Sequence, residues 1–386
     1  MTYRVVVQDA AELTDAQIQA WKALESAALE PNAYLSPNFV LPALKHLEPQ
    51  ARVRIFLIEH KVGSTHQLVG VGVFRINSGT RRFPLPHLVA YLSEHSYLSG
   101  LLLDRAVAEQ ALEALFNYVR SQSWRWHGIL FERCWSDGPT ADMIRQYASS
   151  KQRTLRTLDE QPRAVLHLPL DSGAHMARLS SSLTQNIKRR SRRLQEQGPM
   201  TWRAHRQDGV PAAAVEAFLA LEHQGWKGEN GTSMRAVASN EAFFHDMVSR
   251  FAAEGRAIFA ELTVNDQVIV STSNFVSGNA GFAFKVGWNP EYAKMSPGVL
   301  CEAEFLRAAG SVCPDLNFFD SGASPGSYMD DIWPDRRILN STCIAMSTLG
   351  KLALDAVDAA RAIKERRATP TPQDSPGTAC TAPQAH

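Results

Sequence analysis

Residues 282–300, FAFKVGWNPEYAKMSPGVL, combine a strand pattern with a loop that could bind phosphate. A period of two ends near Trp288, and Ser296–Gly298 come just before an apolar run with helical spacing. The first N–H groups of a helix have no partner within it, and the helix dipole is positive at that end. A strand-loop-helix junction can therefore hold a pyrophosphate, although a plain helix start carries the same Pro and Gly.

The strand part of this segment is predicted to have two unlike faces. One face holds the large apolar residues Phe282, Phe284, Val286 and Trp288. The other face holds small residues and one cation, namely Ala283, Lys285 and Gly287. Lys285 either lies along a half-buried strand with its ammonium in solvent or points at a ligand, and its small neighbours favour a cleft.

A second candidate segment, LEHQGWKGENGTS at 221–233, ends a predicted helix and continues as a glycine-rich loop. Gly225 fits the residue that follows a helix end, and Trp226 fits a core anchor. Glu222 and Lys227 are less easily explained by structure alone. A carboxylate such as that of Glu222 can take a proton from an amine, directly or through water.

A third segment, LNFFDSGASPGSYMDDIW, places Asp320 between a short apolar strand and a Gly/Ser loop. Such an aspartate either caps its own turn or acts in a site at the edge of a sheet. Tyr328 is a candidate general acid, because a departing thiolate, whose free thiol has a pKa of about 8.5, gains from a nearby phenol proton.

One predicted helix is strongly basic. Its cations are Lys188, Arg189, Arg190, Arg192 and Arg193, and its inner stripe is apolar. A charge run on a helix is usually a solvated face. The functional alternative is a phosphate-bearing partner such as CoA, a lipid-linked sugar pyrophosphate or tRNA.

The elements that must position these residues recur in one order in both halves of the chain. In the first half, TYRVVVQ predicts a strand, Thr14 and Gln17 form a capping box, and residues 53–76 predict a hairpin. In the second half a long helix through Gln197 is followed by a strand, two helices and a three-stranded meander with a turn at Asn265-Asp266. The repeated order suggests a duplication.

Bulk composition limits the class of protein. The chain has 386 residues, which fits two domains, and its net charge of +1 gives no overall attraction to nucleic acid or acidic membranes. The five cysteines lie far apart with no CxxC pair, so neither a zinc site nor a disulfide framework is predicted, and a reducing cytoplasm is expected. No signal peptide or membrane-spanning segment is predicted either.

The segments SSSLTQNIKRRSRRL, FLALEHQGWKGENGTS, FKVGWNPEYAKMSPGVL and FFDSGASPGSYMDDIW resemble the GNAT-fold acyltransferases of the cellulose-biosynthesis and FemAB-like group. The N-terminal PNAYLSPNFVLPAL and YLSGLLLD resemble the weaker first half of the same proteins. The resemblance implies a mixed α/β (α+β) fold of two tandem GNAT-like domains, each with a mostly antiparallel sheet flanked by helices. The expected ranges are 1–162 and 163–366, followed by a disordered Pro/Thr/Ala-rich tail at 367–386.

The resemblance also implies acyl-CoA, expected to be acetyl-CoA, as co-substrate and no metal. Members of this group hold the CoA pyrophosphate in the loop after the central strand, which here reads Y-A-K-M-S-P-G and lacks their full glycine pattern. The matching cofactor-binding residues are Lys285, Gly287, Lys294, Ser296 and Gly298. The implied acceptor side holds Trp226, Lys227, Arg189 and Arg190, and the candidate catalytic residues are Glu222, Asp320 and Tyr328.

The expected function is acyl transfer to an amine of a cell-envelope sugar, polysaccharide precursor or related metabolite. A carboxylate, Glu222 or Asp320, would help to deprotonate the acceptor, backbone amides of 281–288 would polarise the thioester, and Tyr328 would protonate the thiolate. One alternative is a tRNA-dependent aminoacyl ligase of FemAB type, although the coiled-coil insertion that several of those carry is missing. The other is a catalytically inert GNAT-like binding protein.

Overall fold

The computed structural model describes residues 2–169 and 171–368, without the side chains of Trp226, Lys227 and 362–368. The predicted tail, 367–386, lies outside the described residues except for its first two positions. Within the described part, local signals form the elements that they predict. Thr14 caps the first helix, since its backbone N–H donates to the Gln17 side chain at 2.9 Å and its hydroxyl accepts the Gln17 N–H.

Two further signals show how local chemistry sets the boundaries of elements. Asn265 and Asp266 have φ values of 49° and 62°, so both adopt the left-handed conformation that a type I′ hairpin turn needs. The long helix predicted to run through Gln197 is instead two helices, and that prediction was wrong in its extent. Ser180 starts the second one, because its hydroxyl accepts the Leu183 N–H at 3.2 Å.

The helices of the described residues are α1 Asp15–Ala27, α2 Pro37–Pro42, α3 Ala108–Ser121, α4 Pro139–Ser150, α5 Ser172–Arg178, α6 Ser181–Gln195, α7 Ala212–His223, α8 Trp226–Glu229, α9 Ala238–Ala253, α10 Pro297–Val312, α11 Met329–Ile332 and α12 Thr348–Ala368. Within the described ranges, no helix is both long and apolar enough to cross a membrane.

The strands are β1 Tyr3–Gln8, β2 Val53–Val62, β3 Thr65–Asn77, β4 His87–Ala90, β5 Leu102–Leu103, β6 Gly128–Trp135, β7 Leu155–His167, β8 Met200–His205, β9 Ala257–Val264, β10 Gln267–Ser277, β11 Ala280–Trp288, β12 Phe318–Asp320 and β13 Asp335–Ala345. They form one sheet in the order β1-β2-β3-β4-β6-β13-β7-β12-β11-β10-β9-β8, with β5 beside β3. The pairs β4/β6 and β11/β12 are parallel and the other pairs are antiparallel. The predicted mixed α/β class with a mostly antiparallel sheet and flanking helices is confirmed.

The two halves of the chain repeat one topology and exchange their last strands. Each half has a first strand, helices, a three-stranded meander, a helix and a strand that pairs in parallel with the meander. β7, the last strand of the first half, pairs with β12 of the second, and β13, the last strand of the second half, pairs with β6 of the first. The predicted domain boundary at 162/163 lies inside β7 and stays a prediction.

The second half has apolar layers on both faces of the sheet. On one face, α7 and α9 bury an aromatic cluster that includes Phe218, Phe243 and Phe244. On the other face, α6 and α10 pack through residues such as Ile187 and Leu300. Full burial of side chains this large contributes about 1.5–3 kcal/mol each. These layers hold β11 rigidly at the centre of the half.

Candidate functional site

A cleft opens where β11 and β12 part. The two strands pair only over Ala280–Phe282 and Phe318–Asp320, and β11 then continues to Trp288 paired with β10 on its other side. The walls of the cleft come from β10, β11, α10, the segment after β12 and the first half of the chain. Polar residues on these walls are Tyr97, Thr272, Asn274, Lys285, Glu302, Ser321, Ser327 and Tyr328.

A β-bulge in β11 reverses the alternation of its side chains. Ser273 lies opposite Lys285 and Asn274 lies opposite Ala283, so Phe284 has no residue opposite it on β10. Phe282 and Phe284 pack in the aromatic cluster under α7 and α9, whereas Val286 and Trp288 pack on the face of α6 and α10. The prediction that these four residues share a face is therefore wrong, because one extra residue shifts the pleat.

Glu302, on α10, is the cleft residue that sequence reasoning missed. Its side chain is 7% exposed, and its Oε2 has no hydrogen-bond partner in the described part of the chain. Burial raises the pKa of this carboxyl to about 7. The signal was its spacing, since Glu302 stands three residues after Val299 and four before Leu306, within the apolar stripe of the helix. A carboxylate inside such a stripe is a functional-site candidate.

Tyr328 lies beside Glu302 at the start of α11. Tyr328 is 38% exposed, and partial burial of its phenol in the cleft, together with the negative charge of Glu302, raises the pKa of Tyr328 above its usual value. A Cβ placed on Gly298 would lie 3.7 Å from the Tyr328 hydroxyl. The cleft thus brings together Glu302, Tyr328 and the first turn of α10.

The N-terminus of α10 has the geometry expected of the strand-loop-helix junction. A 3-10 helix, Pro290–Met295, leads into Ser296, whose φ of 48° is left-handed, and Pro297 is the first helical residue. The N–H of Leu300 donates to the Ser296 carbonyl at 3.3 Å. The N–H groups of Gly298 and Val299 have no acceptor among the described residues, and Lys294 is exposed nearby in sequence.

The basic helix α6 packs against α10 and against the 3-10 helix before it. Ile187 shares a cluster with Met295 and Leu300, which fixes the side of α6 that faces inwards. Arg189 is exposed and donates to Asn186 Oδ1 at 2.8 Å. Arg190 is half-buried, and its Nε has no hydrogen-bond partner in the described part of the chain. The exposed cations of α6 therefore lie on a helix that touches the α10 junction.

Asp320 is fully buried and engaged on both oxygens. Its Oδ2 lies 3.3 Å from Arg163 Nη1, and its Oδ1 accepts the Gly322 N–H at 3.0 Å. This geometry favours the alternative in which Asp320 caps its own turn. Among the described residues, no group of three or more His, Cys, Asp or Glu side chains could hold a metal ion.

Glu222 and Gly287 mark a close contact between α7 and β11. Glu222 is 1% exposed, and its Oε2 accepts the Met234 N–H at 2.7 Å. A Cβ on Gly287 would lie 2.4 Å from the Glu222 backbone nitrogen, so Gly287 is required by helix packing. Trp226 and Lys227 belong to α8, and their side chains lie outside what the structure describes.

The first half of the chain supplies one wall of the cleft through residues 91–107. Tyr97 lines the cleft, and its carbonyl accepts Arg163 Nη1–H at 2.8 Å. His95 stacks on Phe243 with ring centroids 5.6 Å apart. Burial, followed by the positive charge of Lys285, lowers the pKa of His95 to about 4. This wall therefore carries a neutral imidazole next to Lys285. No local pattern in the sequence pointed to Tyr97 or His95.

Comparison with known proteins agrees with this geometry. Residues 181–325 match the family model of the acetyltransferase (GNAT) domain. No curated protein sequence matches the chain. Among solved structures, FemX is similar with a TM-score of 0.56 and 9% identity, over 88% of this chain and 96% of FemX.

Two further structures share the fold. One is the C-terminal domain (DUF2156) of a putative lysylphosphatidylglycerol synthetase from Agrobacterium fabrum, with a TM-score of 0.52 and 11% identity over 90% of this chain and 96% of that one. The other is a protein of unknown function from Bacteroides thetaiotaomicron, with a TM-score of 0.52 and 10% identity over 89% and 100%. Residues 181–325 are therefore similar to the acetyltransferase (GNAT) domain, and the chain as a whole shares its fold with FemX.

Proposed function

We propose that the protein transfers an acyl group, in the first instance acetyl, from acyl-CoA to an amine of a cell-envelope sugar, polysaccharide precursor or related metabolite. The observation that carries the proposal is Glu302. It is a buried carboxyl with a pKa of about 7, located where β11 and β12 part and next to Tyr328. A group that gains and loses a proton near neutral pH suits proton transfer in acyl exchange.

The donor would bind along the cleft with its pyrophosphate at the α10 junction. The N–H groups of Gly298 and Val299 are available to phosphate oxygens, and the dipole of α10 favours an anion there. Lys294 and the cations of α6 would add positive charge. The bulge at Phe284 interrupts the pairing of β11 at the level of the cleft, which supports a role for backbone amides of 281–288 in polarising the thioester carbonyl.

The reaction needs one proton removed and one supplied. The acceptor ammonium loses a proton to the Glu302 carboxylate, and the amine nitrogen then forms a bond to the thioester carbon. The carbon–sulfur bond breaks, and the thiolate takes a proton from Tyr328, which is restored from solvent or from Glu302. Glu302 thus takes the role of base that the sequence suggested for Glu222 or Asp320. Both carboxylate oxygens of Asp320 already accept hydrogen bonds, from Arg163 and from the Gly322 N–H.

The acceptor would enter from the side of α7 and α9. That side of the cleft holds Glu222, Lys285, His95 and Tyr97. Trp226 and Lys227 follow Glu222 in sequence. Since Glu222 is almost fully buried and holds the Met234 N–H, it would position this wall, and contact with acceptor would fall to its neighbours. A first half that shapes the acceptor wall fits this arrangement.

The direct test is release of CoA thiol from acetyl-CoA with a panel of amino sugars and simple amines. Glu302→Gln should lower kcat by at least about 100-fold, with the Kd for acetyl-CoA within about twofold of wild type. Wild-type kcat should rise with pH through about 7, and this limb should vanish in the variant. Glu304→Gln is the matched control, because Glu304 is on the same helix and pairs with Arg307 away from the cleft. Absence of acetyl-CoA binding by wild type would overturn the proposal.

A second candidate donor, aminoacyl-tRNA, is favoured by the exposed basic face of α6 on the helix next to the α10 junction. Filter binding of aminoacyl-tRNA and calorimetry of acetyl-CoA on the same preparation separate the two donors. Tight tRNA binding with a steep salt dependence and no acetyl-CoA binding would favour the ligase.

A further inference from the structure

The first half of the chain and β13 together surround a half-open cavity that the acyl-transfer site does not use. It lies between α4 and the strands β6, β7 and β13, and has a volume of 80 Å³. Loop residues 30–32 and 98–101 complete its walls.

The cavity walls are mainly apolar. The side chains of Leu98, Leu101, Phe131, Ile144 and Leu155 contribute to them. Transfer of an alkyl chain of a few carbon atoms from water into this cavity is favourable, because the chain has no hydrogen bonds to lose. The volume has room for several water molecules, and so for a ligand of only a few non-hydrogen atoms.

Three neutral polar groups on the walls have no partner in the described part of the chain. Trp135 is 5% exposed and its Nε1–H has no acceptor, while one face of its ring is covered by Arg337. The Asn340 amide and the Thr342 hydroxyl, on the adjacent strand β13, also make no hydrogen bond. A buried N–H without an acceptor is costly, so a ligand that offers one is favoured.

The charged groups of the cavity disfavour an anionic ligand. Glu30 Oε2 accepts the Thr140 N–H at 3.1 Å, whereas Glu30 Oε1 lies 3.5 Å from Arg337 Nη2 and makes no hydrogen bond in the described part of the chain. Arg145 donates to Asp142 at 2.6 Å and to the Ser136 carbonyl at 3.0 Å. An anionic ligand would therefore lose its hydration and meet the Glu30 carboxylate.

We propose that this cavity is a second ligand site, which binds a small neutral amide on a short alkyl body. The ligand carbonyl accepts the Trp135 indole N–H, its amide exchanges hydrogen bonds with Asn340 and Thr342, and its alkyl chain packs against Leu98, Leu101 and Ile144. The site is independent of the proposed acyl transfer.

The test uses the full chain with ¹⁵N-labelled tryptophan and butanamide as the probe. The indole cross-peak of Trp135 is assigned by its loss in Trp135→Phe, which keeps an aromatic ring and removes the N–H. Butanamide should move this cross-peak with a roughly millimolar Kd, as expected for so small a ligand. Butanoate, of the same size but charged, should bind at least about fivefold more weakly.

Two variants fix the location. Ile144→Phe should fill the cavity and abolish the shift, with Leu155→Phe as a second filling variant if the first does not fold. Thr342→Val, which keeps the shape and removes the hydroxyl, should weaken binding by about two- to fivefold. An unmoved Trp135 cross-peak in folded wild type at about 20 mM butanamide, or a shift that persists in a folded filling variant, would overturn the proposal.

Discussion

The two halves of the chain share one topology, but they differ in the segment between the meander and the helix that follows it. In the second half, residues 289–296 lead from β11 directly to α10. In the first half, residues 91–107 separate β4 from α3, and they include β5, which pairs with β3. The longer segment supplies Tyr97 to the cleft of the other half, and its His95 stacks on Phe243 of α9.

The helix N-termini differ in the same sense. The first N–H groups of both α10 and α3 have no acceptor among the described residues, but the Asp104 carboxylate, which accepts the Ala106 N–H at 2.9 Å, lies just before α3. A carboxylate at that position would repel phosphate. The comparison teaches that one repeated topology can hold the cleft in one copy and supply a wall of it from the other, according to one connecting segment.

The sixth residue of each of these helices is a glutamate. Glu302 of α10 is buried in the cleft, whereas Glu113 of α3 pairs with Lys151 at 2.8 Å on the surface. The same residue type therefore has two environments, and the pair offers matched variants for the predictions below.

The largest expected effect concerns the exchanged strands. Deletion of residues 335–386 should prevent cooperative folding of both halves, because β13 fills the sheet between β6 and β7 and buries Leu339, Cys343 and Ile344 completely. Thermal unfolding followed by circular dichroism is the measurement. Deletion of 369–386 alone should leave Tm within a few degrees of the full chain. A truncated chain in which the first half still melts cooperatively would show that the halves are independent.

The second prediction uses the two glutamates. The folded-state pKa of Glu302 is raised from 4.5 to about 7, so its contribution to stability is greatest below pH 4.5 and is lost as pH rises to 7. The free energy of unfolding of Glu302→Gln should therefore exceed that of wild type by about 3 kcal/mol above pH 7. Near pH 4 the two should be almost equal. Urea unfolding at several pH values measures this. Glu113→Gln should show no such pH-dependent gain, and equal behaviour of the two variants would contradict the burial assigned to Glu302.

The third prediction separates two glycines of the second half. Gly287→Ala should destabilise the protein by about 1–3 kcal/mol, because the new methyl group would meet the backbone of α7. Gly298→Ala should leave stability almost unchanged, since its methyl group would only reach ordinary contact with Tyr328.

Gly298→Val should then weaken CoA binding by about tenfold, or about 1.4 kcal/mol, in calorimetric titration. Equal CoA affinity of wild type and Gly298→Val would place the pyrophosphate elsewhere.

The smallest effect is expected at the basic helix. Changing Arg189, Arg192 and Arg193 together to Gln should weaken binding of the phosphate-bearing donor by about two- to fivefold. The salt dependence of this binding should become flatter, with Tm unchanged. The control removes three arginines from the first half, Arg4, Arg120 and Arg145. If both triple variants lose affinity equally, the effect is one of net charge and α6 is only a solvated face.

Local chemistry accounts for what the sequence predicted well. The capping box at Thr14, the turn at Asn265-Asp266 and the start of α10 at Pro297 depend on neighbouring residues only, and the structure confirms them. The repeated order of elements was readable because each element carries its own periodicity. The cleft at the end of the β11 meander strand followed from that order together with the family resemblance.

The remaining features depend on partners that are distant in sequence. The bulge at Phe284 appears only when β10 and β11 are aligned, and Gly287 has a reason only once α7 lies on it. The role of Tyr97 requires the first half to reach the second. Glu302 is the exception, because its spacing from Val299 and Leu306 was already visible in the sequence.

The exchange of strands also has a consequence for synthesis. A ribosome delivers β6 long before β13, yet β13 is the strand that β6 needs beside it. The first half therefore leaves the ribosome with an unpaired strand edge, which is exposed to wrong pairing until β13 emerges. We expect the nascent chain to complete its sheet only once β13 has been made, and to depend on chaperones over that interval more than a protein with two separate sheets.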